Sequence, residues 1–580
     1  MNIEEKNEIL KHSTAHILAA AVLDMFPEAK FGIGPAIEEG FYYDFELPRT
    51  LIPEDLEILE EKMQSIIKEN HLFERKEISI EEALEHFAKL NQTYKIELIN
   101  DLKAAGETTV SVYKSGHFTD LCRGPHIAST KEINSQAFKL TKISGAYWKA
   151  DEKNTQLQRI YGVIFNDKKE LKEYLKQQEE AKLRDHRKIG KELDLFSFHD
   201  VAPGMPFFHP RGSIIYNELK KFWIDTQKEF EYEMILCPSM LDVSIWKRSG
   251  HWDHYKDDMY FVSAGEDEKQ FALRPMDCPG AILIYNNSLK SYRDLPIRYA
   301  EPGLITRKEK SGQLGGLLRV QQFTQDDAHI FIREDQIEEE IKKVIQLVDM
   351  VYKPFGLEYK AFLSTRPDDY MGEISVWDKA EESLKKILKE LYGDNYGLKE
   401  KDGAFYGPKI DFQLKDAIGR TWQCATIQLD FQMPLKFECR YIDKDGKEKT
   451  PVLVHRTIMG SFERFMGILI EHYAGVFPTW LSPVQVSIVP VSEKFNSYAE
   501  EIKSKLMAQN IRVELNLKDE SLGKRIREEE KSKVSHILII GEKETVDKTV
   551  TIRSRGIKEQ KTLTIDDFAK EIKKEIEDKK

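Results

Sequence analysis

The sequence predicts an α+β chain of several domains, and three observations lead there. Its 580 residues exceed what a single hydrophobic core organises, so three or four domains are expected. Apolar residues recur with helical period in some stretches and alternate in others. Residues 483–580 run strand, helix, strand, helix, strand, the order of a small parallel α/β domain.

The bulk numbers narrow the class. An apolar content of 41% with 32% charged residues suits a globular protein. No apolar run reaches the length of a membrane span, and the opening MNIEEKNEIL lacks the apolar core of a signal peptide. A cytoplasmic protein without membrane contact is therefore expected. The five cysteines show no paired spacing, so they read as buried thiols, ligands or nucleophiles rather than disulfides. A net charge of −12 argues against a protein that coats nucleic acid indiscriminately. Basic residues slightly outnumber acidic ones in 483–580, against an acidic excess over the rest of the chain taken together, which favours that end for a polyanion.

In the first block, residues 1–165, apolar positions such as Ile9, Leu10, Ile17, Leu18 and Val22 predict a helix over 7–25. His12 and His16 lie four apart and share a face of it. Far downstream, Gly124-Pro125 forbids a helix and puts Cys122 and His126 on a loop. Two His with a Cys and a His compose a metal or hydrolytic site; two unrelated pairs carry equal weight. Residues 166–193 are charged nearly all round and predict a solvated helix bridging two domains.

In the block 194–482, a long amphipathic helix over 210–229 precedes a short strand at 233–236 that ends at Pro238. The stretch 301–332 holds a Gly-rich, charged loop flanked by Arg307 and Arg319, then an alternating segment at 317–323 that reads as a strand. Two guanidinium forks and the Phe323 ring suit a nucleoside triphosphate; a charged surface hairpin has equal weight. Cys278, His329 and His455 are too far apart for a local ligand rule, and each alone reads as a core residue. Residues 420–431 alternate as a strand in which Gln423 and Gln428 face the same way only if a bulge intervenes. In the last block the strands fall at 484–489, 511–515 and 537–540, with helices at 496–509 and up to 526. Residues 541–544 read as the loop after a strand, where such sheets bind ligands. Arg525, Arg527, Lys533, Arg553 and Arg555 could meet phosphates or splayed bases there.

Six segments together resemble the threonyl-tRNA synthetase family of class II aminoacyl-tRNA synthetases: HSTAH from His12, CRGPH from Cys122, RPMDCPG from Arg274, FTQDDAHIF from Phe323, GAFYGPK from Gly403 and GSFERF from Gly460. The resemblance covers essentially the whole chain. It implies an editing domain over 1–165, of the type shared with the alanyl enzymes, a charged helical linker over 166–193, a class II antiparallel-sheet catalytic core over 194–482 and an anticodon-binding domain over 483–580. His12, His16, Lys95, Asp120, Cys122 and His126 would form the editing pocket, which hydrolyses mischarged seryl-tRNA. Cys278, His329 and His455 would hold one zinc ion per subunit. Arg307 would grip the α-phosphate and the carboxylate, Glu309 and Phe323 the adenine, and Arg319 and Arg464 the γ-phosphate. Lys409 would offset phosphate charge, and Gln423 would lie near the nucleotide. Gln325, Asp327, Tyr406 and Gln428 would hold threonine, and Arg527, Glu544 and Arg553 would touch the anticodon. The substrates implied are threonine, ATP with Mg2+ and tRNA(Thr), in a homodimer joined through the 210–229 helix.

The sequence departs from the family pattern in three places. The motif 2 loop reads RKEKSG rather than RNEPSG, Asp277 and Ala281 replace the usual Asn and His, and the first helix begins almost at Met1, where a small ubiquitin-like domain usually precedes it. A prolyl-type enzyme would not need the Cys-His-His set or HSTAH. A non-catalytic RNA-binding paralogue would not need Arg307, Glu309, Arg319 and Arg464.

Overall fold

In the computed structural model, which describes residues 3–38, 40–263 and 270–580, the chain divides into two units, residues 1–179 and 180–580. In the first unit the predicted helix is present as Ile3–Met25, with Ile17, Leu18, Ala21 and Val22 buried. It packs on the strand Gly40–Glu46 and the helix Pro53–Glu69. An antiparallel sheet runs Lys30–Phe31, Gly40–Glu46, Gln156–Ile164, Phe138–Tyr147. A second antiparallel sheet, Glu74–Ser79, Thr109–Ser115 and Phe118–Leu121, has its own small core around Ile78, Phe87 and Val112. The loop after Phe118–Leu121 carries Cys122 and His126.

The connector differs from the single solvated helix expected. It is two helices, Lys168–Leu183 and His186–Glu192, and Asp185 caps the second by accepting from Arg187 N–H. The second helix is not solvated: His186, Ile189 and Gly190 are buried, and Ile189, Leu193 and Leu195 join the core of the larger unit. So few apolar residues in so charged a run left no amphipathic signal.

The larger unit is organised by an eight-stranded sheet in the order Glu233–Met234, Ile297–Thr306, Gln322–Ile332, Val452–Thr457, Thr421–Asp430, Lys409–Lys415, Glu358–Ser364, Gly397–Lys399. Its six inner strands are antiparallel and each edge strand joins in parallel. Helices Pro210–Glu229, Ile337–Tyr352, Ile374–Tyr392 and Phe462–His472 contribute to one core with it, through residues such as Trp223, Val348, Leu384 and Phe465. The strand expected at 317–323 begins only at Gln322. Gly316–Leu318 is a 3-10 turn that buries Leu317, so the apparent alternation there was loop packing.

The bulge that Gln423 and Gln428 required is present. Asp411 lies opposite Thr426 but Gln413 opposite Gln423, which leaves one extra residue on Thr421–Asp430. A bulge frees backbone groups, and Tyr352 takes one: its hydroxyl accepts from Ala425 N–H at 3.1 Å and donates to Ile458 O, just past the next strand, at 2.6 Å.

The C-terminal sheet is mixed rather than wholly parallel. Val513–Leu515, Val486–Pro490 and His536–Ile540 pair in parallel; Thr549–Ser554 and Lys561–Thr564 then add antiparallel, followed by the helix Ile565–Glu577. Thr549–Ser554 does alternate, with Val550 and Ile552 buried, a signal that sequence reasoning missed; Lys561–Thr564 is short and polar. Gly541 caps the helix Glu542–Asp547, with Gly541 N–H donating to the Glu544 carboxylate at 2.9 Å, so 541–544 is not an open loop.

The buried Tyr352 hydroxyl yields a first test. Tyr352→Phe leaves Ala425 N–H and Ile458 O short of a partner in a dry core, and a loss of about 1–3 kcal/mol is expected. Urea unfolding followed through the larger unit's tryptophans reads it; an unchanged midpoint contradicts the account.

Candidate functional site

A cleft of about 930 Å³ opens in the larger unit, and every residue that the sequence assigned to nucleotide, amino acid or metal lines it. Strand geometry explains how. Phe323, Gln325, Asp327 and His329 alternate along Gln322–Ile332, so their side chains share one face. His329 lies opposite His455 on the neighbouring strand, and His455 lies opposite Gln428 on the next. Cys278 opens the helix Cys278–Tyr285 beside them.

Cys278, His329 and His455 are buried, with one ligand atom from each within 4.8 Å of the others. His329 Nε2 has no hydrogen-bond partner among the described residues. His455 Nε2 lies 2.9 Å from the Asp430 carboxylate, which leaves its other ring nitrogen as donor. Burial pushes the Cys278 thiol well above its ordinary range, helped by Asp327 and Asp430, and holds His329 well below, so its imidazole stays neutral. A neutral imidazole is the ligand form, and metal binding takes the thiol proton. One sulfur and two nitrogens with an orphaned buried donor fit zinc. Burial also raises the Asp327 carboxyl, with Asp277 adding to it, and Tyr406 OH donates to Gln428.

At the cleft's other end the cations are held by acceptors. Arg307 Nε donates to Pro275 O at 3.1 Å, and its guanidinium lies 5.3 Å from the Phe323 ring centre. Arg319 and Glu309, expected to serve γ-phosphate and adenine separately, pair with each other at 2.8 Å. Lys409 lies 3.0 Å from Asp411 and 3.4 Å from Asp402, and Gln423 donates to Asp411 at 2.7 Å. Arg464 differs: its Nε is buried without a hydrogen bond among the described residues. It sits in the first turn of Phe462–His472, capped by Ser461, where the helix end adds its own attraction for an anion.

Sequence reasoning missed the residues behind these. Asp326, fully buried, accepts from Ile458 N–H and Met459 N–H at 2.9 Å each and fixes the turn into the Arg464 helix. Glu463 accepts from Thr324 N–H at 2.9 Å, and burial pushes its carboxyl up to about 7. Asp326 sat inside a quoted motif; Tyr352 and Asp430 carried no local signal.

The smaller unit holds the second cluster. His12, His16, Cys122 and His126 bring one ligand atom each within 4.8 Å. Cys122 Sγ lies 3.3 Å from both His12 Nε2 and His126 Nε2, and His126 Nδ1 lies 3.0 Å from Ser13 Oγ. Asp120, 2% exposed, pairs with Lys95 at 2.5 Å, accepts from Tyr43 OH at 2.5 Å and lies 3.6 Å from His16 Nε2. Burial lowers His12, His16 and His126 and pushes the Cys122 thiol up to about 12. The result is a wall of neutral imidazoles, weak bases that can accept hydrogen bonds from a water or hydroxyl. Ser13 and Tyr43 were not foreseen, though Ser13 stands within HSTAH.

In the C-terminal sheet, Thr551 and Arg553 share a face of Thr549–Ser554. Arg553 pairs with Glu530 at 3.0 Å, Thr551 donates to Glu544 at 2.7 Å, and Arg527 is exposed one turn before Glu530. Arg525 and Arg555, offered above as phosphate or base contacts, instead donate to backbone carbonyls: Arg525 to Asn516, and Arg555 to Lys533 and Phe477. Both are structural braces.

Comparison with known proteins agrees with this layout. Residues 260–473 match the tRNA synthetase class II core domain (G, H, P, S and T), 485–575 the anticodon binding domain, and 110–161 the threonyl and alanyl tRNA synthetase second additional domain. A core, an anticodon domain and an editing-type domain of these kinds define a class II aminoacyl-tRNA synthetase. The threonine–tRNA ligase of Clostridium kluyveri is 51% identical over 99% of this chain and 89% of its own length; that of Carboxydothermus hydrogenoformans is 50% identical over 100% and 90%. The chain belongs to the threonine–tRNA ligase family. A crystal structure of the RNA binding domain of threonyl-tRNA synthetase from Cryptosporidium parvum is 39% identical, with a TM-score of 0.65 over 67% of this chain and 98% of that one.

The neutral histidines of the smaller unit set a pH dependence. Their folded values lie below the ordinary 6.5, so below about pH 6.5 the unfolded chain binds more protons and stability falls. Above that pH this contribution is intact. Each histidine gives up to about 1.4 kcal/mol per pH unit. Urea unfolding of the 1–179 fragment at pH 7.5 and 5.5 is expected to show that loss, with a shallower slope in His126→Gln. Equal slopes would show that His126 is not held neutral.

Proposed function

We propose that this chain joins threonine to tRNA(Thr) through a threonyl-adenylate and clears seryl-tRNA in its N-terminal unit. The observation that carries the reading is the dry Cys278-His329-His455 set, with its orphaned nitrogen, in the same cleft as Arg307 and Arg464. Zinc held there by three protein ligands would keep a position open for the amino group and hydroxyl of the substrate. Asp327, Gln325, Tyr406 and Gln428 then orient the amino acid so that its carboxylate meets the α-phosphorus in line. Arg307 sits between the carboxylate and the α-phosphate. Arg319 and Lys409 exchange carboxylate partners for phosphate oxygens of ATP with Mg2+, and Arg464 holds the far phosphate. The enzyme's contribution is positioning and charge stabilisation.

The amino-acid pocket implies the second site. Valine lacks the hydroxyl and leaves buried polar groups unpaired, a strong penalty. Serine lacks only a methyl, worth about 1–3 kcal/mol, and cannot be well excluded. The His12, His16, Cys122 and His126 pocket, with Lys95 and Asp120, is our candidate for hydrolysing the serine ester. We assign Arg527, Glu544 and Arg553 to the anticodon. We also propose a homodimer through Pro210–Glu229 and the edge strand Glu233–Met234, where Met234 and Leu236 are exposed at 39% and 83%. All five cysteines are free, which suits work in the reducing cytoplasm.

Threonine-dependent ATP–pyrophosphate exchange tests the activation step. Arg307→Ala is expected to lower it by about 2–4 kcal/mol of transition-state stabilisation with folding intact. Cys278→Ser is expected to lose both zinc, by metal analysis, and exchange. A fully active Arg307→Ala enzyme, or a metal-free wild type that exchanges, rejects these roles.

For the second site, His12→Ala with His16→Ala is expected to spare threonylation and to let seryl-tRNA persist. Deacylation of preformed seryl-tRNA is the measurement, and an unimpaired double variant removes the N-terminal pocket from the scheme.

A further inference from the structure

His186 belongs to the connector, outside the residues that match the class II core, yet both its ring nitrogens are engaged inside that core. Nδ1 lies 2.6 Å from Glu471 Oε1, in the last turn of Phe462–His472, the helix that carries Arg464 at its start. Nε2 lies 3.0 Å from Leu317 N, whose N–H can only donate. That fixes the tautomer: Nε2 accepts and Nδ1–H donates to the carboxylate. The ring is 2% exposed and His186 N–H also donates to Glu471 Oε1 at 3.1 Å. Arg184, just before it, donates to the helix-end carbonyl of His472 at 2.9 Å.

The far side of the contact is shaped for this ring. Gly316 has a φ of +57°, and a Cβ there would fall 2.1 Å from His186 Nε2. Leu317 is fully buried in the core that includes the Phe462–His472 helix, and Gly467 on that helix leaves room for Leu317 and Leu318. Arg319 follows two residues later, its guanidinium in the cleft and its carbonyl accepting from Gly315 N–H. The imidazole thus stands between the return of the 307–316 loop (motif 2) and the end of the Phe462–His472 helix (motif 3), the two elements that present Arg319 and Arg464. Asp185, His186 and Glu471 also bring ligand atoms within 4.8 Å, a spacing open to a cation. Asp185 is already paired with Arg187 at 2.6 Å and His186 has no free nitrogen, so these groups form a clamp.

We propose that His186 is a positioning residue for ATP: by holding the Leu317 backbone against the motif 3 helix, it sets where Arg319 stands in the cleft. This rests on the reading of the cleft given above. Because it acts on one end of the cleft, its loss changes the nucleotide end and not the amino-acid end.

The test is steady-state pyrophosphate exchange on the full chain, with melting temperature recorded for each variant. Wild-type exchange establishes the underlying reading; without it that reading fails, independently of His186. With it, His186→Leu is expected to raise the KM for ATP about tenfold, the scale of one lost buried hydrogen bond, and to leave the KM for threonine within about twofold. His186→Gln, which keeps a donor and an acceptor, is expected to recover much of the loss. Gly316→Ala disturbs the same contact from the loop side, with residue 186 itself unchanged, and is expected to show the same ATP-selective change. In an Arg319→Gln background His186→Gln and Gly316→Ala should add little, because they act through that arginine. An unchanged KM for ATP in a folded Gly316→Ala enzyme, equal shifts in both KM values, or full additivity with Arg319→Gln overturns the proposal.

Discussion

The register between Gln322–Ile332 and Val452–Thr457 is the constraint on which the cleft depends. It sets His329 opposite His455, and the next pairing sets His455 opposite Gln428. Side chains alternate along a strand, so a slip of one residue would turn Phe323, Gln325, Asp327 and His329 away together. The other face of the same strand supplies the protection. Ala328 and Ile330 are fully buried in the main core, and Asp326 ties the strand to the backbone before the Arg464 helix. One strand thus carries four cleft-lining side chains on one side and the anchor for register on the other.

Two of the cleft's cations, Arg319 and Lys409, rest on carboxylates, and the pairs differ in how readily they open. Arg319 is about half exposed and its pair with Glu309 is worth about 0–1 kcal/mol, so a phosphate can take Arg319 at little cost and free Glu309 for another partner. Lys409 is 13% exposed against a fully buried Asp411, so that pair opens less readily than the Arg319 pair. Arg464 Nε lacks any such partner among the described residues, the state of a group built to wait for an anion.

Much of this was legible in the sequence, but by different routes. Alternation alone gives the shared face of Phe323, Gln325, Asp327 and His329, and the parity of Gln423 and Gln428 demanded the bulge that the strand pairing contains. Cys278, His329 and His455 were not legible from spacing, because a sheet brings together residues that no local rule relates; the resemblance supplied them. The segment at 317–323 misled because Leu317 is apolar for a 3-10 turn packed on a helix, not for a strand face. The connector misled because a single half-turn of apolar residues is enough to dock a charged helix end. His186 and Tyr352 were invisible for a further reason: their partners are backbone groups or a distant carboxylate, and a backbone amide leaves no trace in a sequence pattern.

The two clusters also differ in electrostatic character in a way that follows their chemistry. The cleft of the larger unit must accept a polyanion and a developing pentavalent phosphorus, and it offers Arg307, Arg319, Lys409 and Arg464 as fixed positive charge. Ester hydrolysis needs a group that can take a proton from water, and a histidine already protonated cannot. Burial in the smaller unit holds His12, His16 and His126 neutral, while Lys95 is paired with Asp120. The Asp120 carboxylate, which accepts from Tyr43 OH and lies close to His16, balances much of that charge, while Lys95 still adds to the lowering of His12 and His16.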